Sequence, residues 1–180
     1  MADSGISIQV TIQDKELIFL LKQMAKKGEN LSPFFKKSAI IMTRSFADNF
    51  RQEGRPKKWK PLSKNTIAGR RKGSSRILQD KGLLRQSVIA RSAPGNIRKF
   101  TKDSLKMGTT QKTAAWHQYG TKPYVIVPKN KKMLSFMSAS GRVFTKKVNH
   151  PGLASRPFIM IQPEDENAMA KLALEYMVGE

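Results

Sequence analysis

The side chains able to do chemistry are few and scattered. Two histidines occur, His117 and His150, and between Gly54 and Pro163 the only carboxylates are Asp80 and Asp103. Acid–base and glycoside chemistry mostly needs paired carboxylates, and divalent metals need clustered ligands, so the middle of the chain supplies neither. His117 and His150 each lack a second histidine or a carboxylate nearby in sequence, which favours a structural role over ligation or catalysis. A hydrolase would need a nucleophile and a base; Ser87, His117 and Asp103 can be named, but nothing in their spacing selects them. The chain has no cysteine, so neither a disulfide framework nor a thiolate metal site can form. The expectation is a protein that is not an enzyme and uses no cofactor or metal.

Positive charge is what the chain has in abundance. A formal net charge of +21 on 180 residues implies an acidic partner. Acids gather in the N-terminal third and in Glu164, Asp165 and Glu166. The segment Arg55 to Arg76 carries nine basic side chains, no acid, Trp59, and the breakers Pro56, Pro61, Gly69 and Gly73. Such a loop has little to bury and is expected to be mobile or ordered by a partner. Two functional readings stand beside that of a solvated loop. Lys57-Lys58-Trp59-Lys60 with Arg70, Arg71 and Lys72 suit phosphate neutralisation and base stacking. The same residues suit docking on an acidic protein, with Trp59 as the anchor. Lys129, Lys131 and Lys132 form a second basic turn.

The elements that must position these residues follow from periodicity. Ile6, Ile8, Val10 and Ile12 alternate with polar residues and predict a half-buried strand. Asp14 is then placed to cap a short helix with Leu17, Ile18, Leu21, Met24 and Ala25 on one face, ending at Gly28. Ser32-Pro33 opens the longest helix, whose face runs from Phe34 and Phe35 through Ser38, Ala39, Ile41, Met42, Ser45, Phe46, Asn49 and Phe50, and which stops before Gly54 and Pro56. Leu84–Ala90 and Leu105–Gly108 read as a hairpin-like pair of strands around Ala93-Pro94-Gly95-Asn96. Thr113–Tyr119 reads as a short helix or turn that brings Ala114, Ala115 and Trp116 near the core. Tyr124–Val127 suits an edge strand, and Met133, Leu134 and Phe136 can pair with Val143 and Phe144 across Ser138–Gly141. Pro163, followed by three acids, starts a last helix with Met169, Leu172, Ala173, Tyr176 and Met177 on its apolar face. The expected fold is α+β: a mainly antiparallel sheet against the long helix and the C-terminal helix, in one domain over 1–180. A basic loop at about 54–77 and an extended loop or hairpin at about 128–150 project from it.

The stretch Val143–Ile161, VFTKKVNHPGLASRPFIMI, joins two strand-like runs through His150-Pro151-Gly152. With His117–Thr121 and Val125–Lys129 upstream, it resembles the phage virion-morphogenesis, or tail-completion, proteins. Trp59-Lys60-Pro61-Leu62-Ser63, Thr66, Arg70 and the block Ile77–Ser87 continue the resemblance, which covers roughly Phe34 to Ile161. The proline-lysine segment and Arg156-Pro157-Phe158 are also similar to head-to-tail connector proteins of long-tailed phages.

The resemblance implies a virion protein of the head–tail neck, assembled in the host cytoplasm, in a ring of six that closes the tail tube. It implies the tail tube protein as a partner, with the sheath as a further candidate, a head connector or head-completion protein, and DNA in the channel. Arg156 and Phe158 match the family's terminal motif and join the contact residues Trp59, Arg70, Arg71, Lys72, Lys129, Lys131 and Lys132. Subunits this basic repel one another, so a monomer or weak oligomer is expected away from the tail. No apolar run approaches membrane-spanning length, and MADSGISIQV lacks the regions of a signal peptide. The alternative reading is a basic nucleic-acid-binding protein.

Overall fold

In the computed structural model, residues 15–179 are described, apart from the side chain of Arg71. The strand expected at Ile6–Ile12 and the Asp14 cap lie outside the described residues. The chain is α+β, with six helices and three two-stranded antiparallel ladders among the described residues.

Helix α1 (Lys15–Gly28) follows the predicted spacing but has no buried residue. Its C-terminal end is tied to the last helix, α6 (Pro163–Val178): Lys27 Nζ donates to the Met177 carbonyl at 3.2 Å, and the Tyr176 hydroxyl to that of Asn30 at 2.7 Å. Helix α2 (Ser32–Arg51) is the longest and buries Ser38, Ala39, Ser45, Phe46, Asn49 and Phe50, the face its periodicity predicts. Its start differs from expectation by one residue. Ser32 lies inside the helix, and Asn30 Oδ1 accepts the Ser32 N–H at 3.1 Å.

The segment read as a strand at Leu84–Ala90 is instead helix α4 (Leu83–Ile89). Gly82, at φ +74°, turns the chain into it, and Ser87 and Val88 are buried on the face towards α2. Asn96 Nδ2 then donates to the carbonyls of Ser87 and Val88 at 3.0 and 3.2 Å, satisfying the helix end. Short apolar runs fit either period, and here long-range packing and the Asn96 cap decide for helix. The hairpin therefore forms one segment later, between β1 (Asn96–Phe100) and β2 (Leu105–Thr109), with Asn96 opposite Thr109 and Phe100 opposite Leu105.

Between α2 and α4 lies the short helix α3 (Lys64–Ala68), and α5 (Ala114–Tyr119) follows β2. Ala114 is buried as expected, but Ala115 and Trp116 are exposed. Strand β3 (Tyr124–Ile126) pairs with β6 (Val148–His150), and β4 (Leu134–Ser138) with β5 (Gly141–Thr145), the latter placing Phe136 opposite Val143. The single expected sheet is thus replaced by three ladders, and α6 packs on α1 and α2 rather than on a sheet.

The core gathers Phe46, Phe50, Trp59, Ile77, Leu78, Val88, Ala114 and Phe158. Pro157–Ile161, read as strand-like, is in no ladder. Two side-chain amides replace the missing strand. Gln118 Oε1 accepts the N–H groups of Phe158 and Ile159 at 3.1 Å each, and its Nε2 donates to the Ile159 carbonyl at 2.9 Å. Asn49 Nδ2 donates to the carbonyls of Phe158 and Met160 at 3.2 and 3.1 Å. Buried backbone groups need partners, and these amides let Phe158 enter the core without one from a neighbouring strand.

Beside this core Arg55 forms a polar hub. Its guanidinium donates to Asn49 Oδ1 at 2.9 Å and to the Ser45 carbonyl and hydroxyl at 3.0 and 2.8 Å, and it pairs with Glu164 at 3.2 Å. Asp165 accepts from the Ser45 hydroxyl and from the Gln162 N–H, so the same network fixes the start of α6.

Candidate interaction surface

The basic loop is anchored at both ends by side chains it buries, where its composition suggests little to bury. At its start Gly54 adopts φ +111°, and a side chain there would meet the Lys57 carbonyl at 2.5 Å and the Trp59 nitrogen at 2.7 Å. This tight turn sends Trp59 inward. The indole is 5% exposed, lies edge-on to Phe50 with centroids 5.9 Å apart, and donates its N–H to the Pro157 carbonyl at 3.2 Å. At the other end Ile77 and Leu78 are buried, and Glu53 Oε1 accepts the Ile77 N–H at 2.9 Å. Between the anchors, Ser63 caps α3 by accepting the Thr66 N–H at 3.2 Å.

Three of the predicted contact residues are consequently interior. Trp59 is a core residue, and the little of its ring that is exposed lines a pocket under the loop. Phe158 is fully buried, 5.4 Å from the Phe50 ring. Arg156 is 7% exposed and donates through Nε and Nη2 to the Lys60 carbonyl at 3.2 and 2.9 Å, stapling the loop to the segment before α6. The sequence could not separate an aromatic anchor for a partner from one for the core, because both roles call for the same side chain.

Arg70 is half-buried, and its Nη1 donates to the carbonyls of Ser74, at 3.4 Å, and Arg76. Lys72 is exposed in a left-handed turn at φ +56°, and the side chain of Arg71 lies outside those described. Arg70 and Arg156 act on His117. Burial, then Arg156 and Arg70, push its pKa below the usual histidine value, so the ring is neutral at neutral pH. Its Nδ1 is buried without a hydrogen-bond partner among the described residues. Burial and Arg70 also lower the pKa of Arg156.

The residues nameable for hydrolysis are engaged elsewhere. The buried Ser87 hydroxyl donates to the Leu84 carbonyl at 2.9 Å and accepts from the Thr109 hydroxyl at 2.8 Å. Asp103 accepts from the Thr101 hydroxyl at 2.6 Å in the β1–β2 turn. Among the described residues no group of three or more His, Cys, Asp or Glu is placed to hold a metal.

Lys129, Lys131 and Lys132 are exposed between β3 and β4. The structure adds what the sequence did not indicate: the two loops meet. The turn of the β4–β5 hairpin rests on α3, where Asn65 Oδ1 accepts the Ala139 N–H at 3.0 Å. The hairpin exposes Met133, Phe136, Met137 and Phe144, the last at 59%, and the β3 segment exposes Tyr124, Val125 and Val127. Tyr124 stacks on His150 at 4.7 Å, and His150 Nδ1 accepts the Gly152 N–H at 3.0 Å, so this histidine holds its turn.

The result is a basic surface studded with large exposed apolar side chains, carried on loops pinned to a compact core. The chain belongs to the phage virion morphogenesis family, whose model matches residues 12–178. That membership assigns it a structural or assembly role in a phage virion. No curated protein and no solved structure matches the chain. Among the described residues no helix is long and apolar enough to cross a membrane.

Proposed function

We propose that the chain is a tail-completion or terminator subunit at the head–tail neck, forming a hexameric ring that caps the tail tube and joins it to the head connector or a head-completion protein. The observation that carries this reading, beyond the family, is the joined surface of the α3 loop and the β4–β5 hairpin. Both ladders there, β3–β6 and β4–β5, have unpaired outer edges among the described residues, and edge strands beside exposed aromatics suit addition to a neighbouring subunit or tube protein. The exposed lysines 129, 131 and 132 face whatever acidic partner approaches, including the sheath of a contractile tail.

The test is electron microscopy of lysates of a phage lacking the gene. The expected result is filled heads separated from tails, or tails of abnormal length. Normal joined particles would reject the neck assignment.

A second reading, binding to DNA in the channel, is favoured by the net charge of +21 and by the scarcity of acid between Gly54 and Pro163. It is compatible with the first, and the salt dependence of binding to DNA and to tails separates them.

A further inference from the structure

The basic loop borders an open, mainly apolar pocket of about 380 Å³ that no described residue fills. Trp59 and Ile77 form its inner side, Leu62 and Ile67 its walls, and Lys58 and Ser75 stand at its rim. Glu53 also lines it, but its carboxylate is engaged by the Ile77 N–H, and Lys58 Nζ is held on the Gln52 carbonyl at 2.5 Å. The surroundings are the most basic part of the chain, so the complementary ligand is an apolar side chain on an acidic element.

The chain carries such an element. Helix α6 has four carboxylates, Glu164, Asp165, Glu166 and Glu175, against one lysine, Lys171. Its outward stripe of Ala170, Leu174 and Val178 repeats every fourth residue, and Leu174 is 66% exposed. Glu175 flanks that stripe with a weak contact to Lys171 at 3.9 Å. Leu174 stands about 15 Å along the helix from Glu164, the residue that touches Arg55 at the base of the loop. Pocket and stripe therefore occupy different parts of one subunit.

We infer that the pocket of one copy receives the Leu174 stripe of α6 from a second copy, with Glu175 meeting Lys58 at the rim. Two unlike surfaces on the same chain make a head-to-tail contact, the kind that closes into a ring instead of a two-fold dimer. It also sets the acidic helix of each copy against the basic loop of the next, offsetting repulsion that the net charge otherwise imposes. The inference rests on the reading of the chain as a ring subunit.

The absence of cysteine makes the test clean, since introduced thiols are the only ones present. Ser75→Cys and Ala170→Cys are made separately in the full chain, mixed at low salt and treated with a short bismaleimide. The expected result is a covalent dimer in the mixture well above that of either variant alone, and a ladder of higher oligomers from the double variant. Lys58→Glu and Glu175→Lys are each expected to lower the dimer yield about tenfold, the equivalent of roughly 1.4 kcal/mol, and mixing one with the other is expected to restore it. Leu174→Asp, at an exposed position, should abolish it. No more dimer in the mixture than in the separate samples overturns the inference, as does protection of the Ser75→Cys thiol by duplex DNA without dimer formation. Complementation separates the two readings. A Ser75→Cys/Ala170→Cys double variant that restores head–tail joining but gives no cross-link leaves the neck assignment standing and rejects this contact; cross-linking in a protein whose loss leaves particles intact rejects the neck assignment alone.

Discussion

The end of the molecule built on α2 and α6 and the end built on α3 and the strand ladders treat charge and apolar surface in opposite ways. Around α2, the guanidinium of Arg55 is matched by Asn49, Ser45 and Glu164, and Phe46, Phe50 and Phe158 are removed from water. In the ladders, Phe136, Phe144, Tyr124 and Val125 remain exposed beside Lys129, Lys131 and Lys132. The first arrangement stabilises a fold. The second leaves apolar area in water, where it adds nothing to the stability of the isolated fold.

Substitutions of like residues at the two ends sharpen this comparison. Phe158→Ala is expected to cost about 3–5 kcal/mol, because a fully buried ring leaves a cavity against Phe50. Phe144→Ala, at an exposed ring, is expected to change stability by no more than about 0.5 kcal/mol while lowering recovery of joined particles in complementation. Urea midpoints measure both. Equal losses of stability would erase the distinction between the two ends.

A second pair sets two arginines against each other. Arg55→Ala strands the oxygens of Asn49 and Ser45 and is expected to destabilise by about 1–3 kcal/mol. Arg51→Ala breaks an exposed pair with Asp48 at 2.8 Å and is expected to cost under about 0.5 kcal/mol. Thermal melts of the two variants decide whether the hub, and not ion pairing as such, carries the stability.

The sequence made legible whatever has a period or a punctuation mark. The α2 face, the β4–β5 hairpin about Ser138–Gly141 and the acidic start of α6 all follow from spacing. Leu84–Ala90 did not, since seven residues with apolar positions at both periods leave the choice to contacts with α2 and to the remote Asn96 cap. The Pro157–Ile161 segment misled for a related reason. Its composition is that of a strand, yet its partners are the amides of Asn49 and Gln118, which no local pattern connects to it. The lysines of the surface were readable from charge alone. Trp59, Arg156 and Phe158 were not, because tryptophan and arginine anchor cores and interfaces alike and only the turn at Gly54 sends the indole inward.

His117 lies where the two ends meet, its carbonyl accepting the Arg156 N–H at 2.7 Å. Burial first, and then Arg156 and Arg70, depress its folded pKa below the unfolded value, so the neutral ring is the one the fold prefers. The unfolded chain therefore binds the proton first as pH falls. The contribution to stability is complete above about pH 6.5, and it declines as pH drops from there through the folded pKa. Thermal melts from pH 7.5 down to pH 5 should show stability falling, with a shallower fall in His117→Gln. An unchanged slope in that variant would remove His117 from the account.

Replacing Lys129, Lys131 and Lys132 together by glutamine is expected to leave the fold within about 0.5 kcal/mol of wild type, since all three are exposed and none is in an ion pair among the described residues. Its value lies in what it does to binding. If these lysines neutralise DNA phosphates, each contributes about 0.9 to the slope of log affinity against log salt, so the triple variant loses roughly 2.7 of that slope. If they form the rim of a protein interface, the slope for duplex DNA barely changes, while association with purified tails slows and becomes less sensitive to salt. The neck reading expects the second pattern, in which the apolar side chains of the hairpin set the lifetime of the contact and the lysines only speed the encounter.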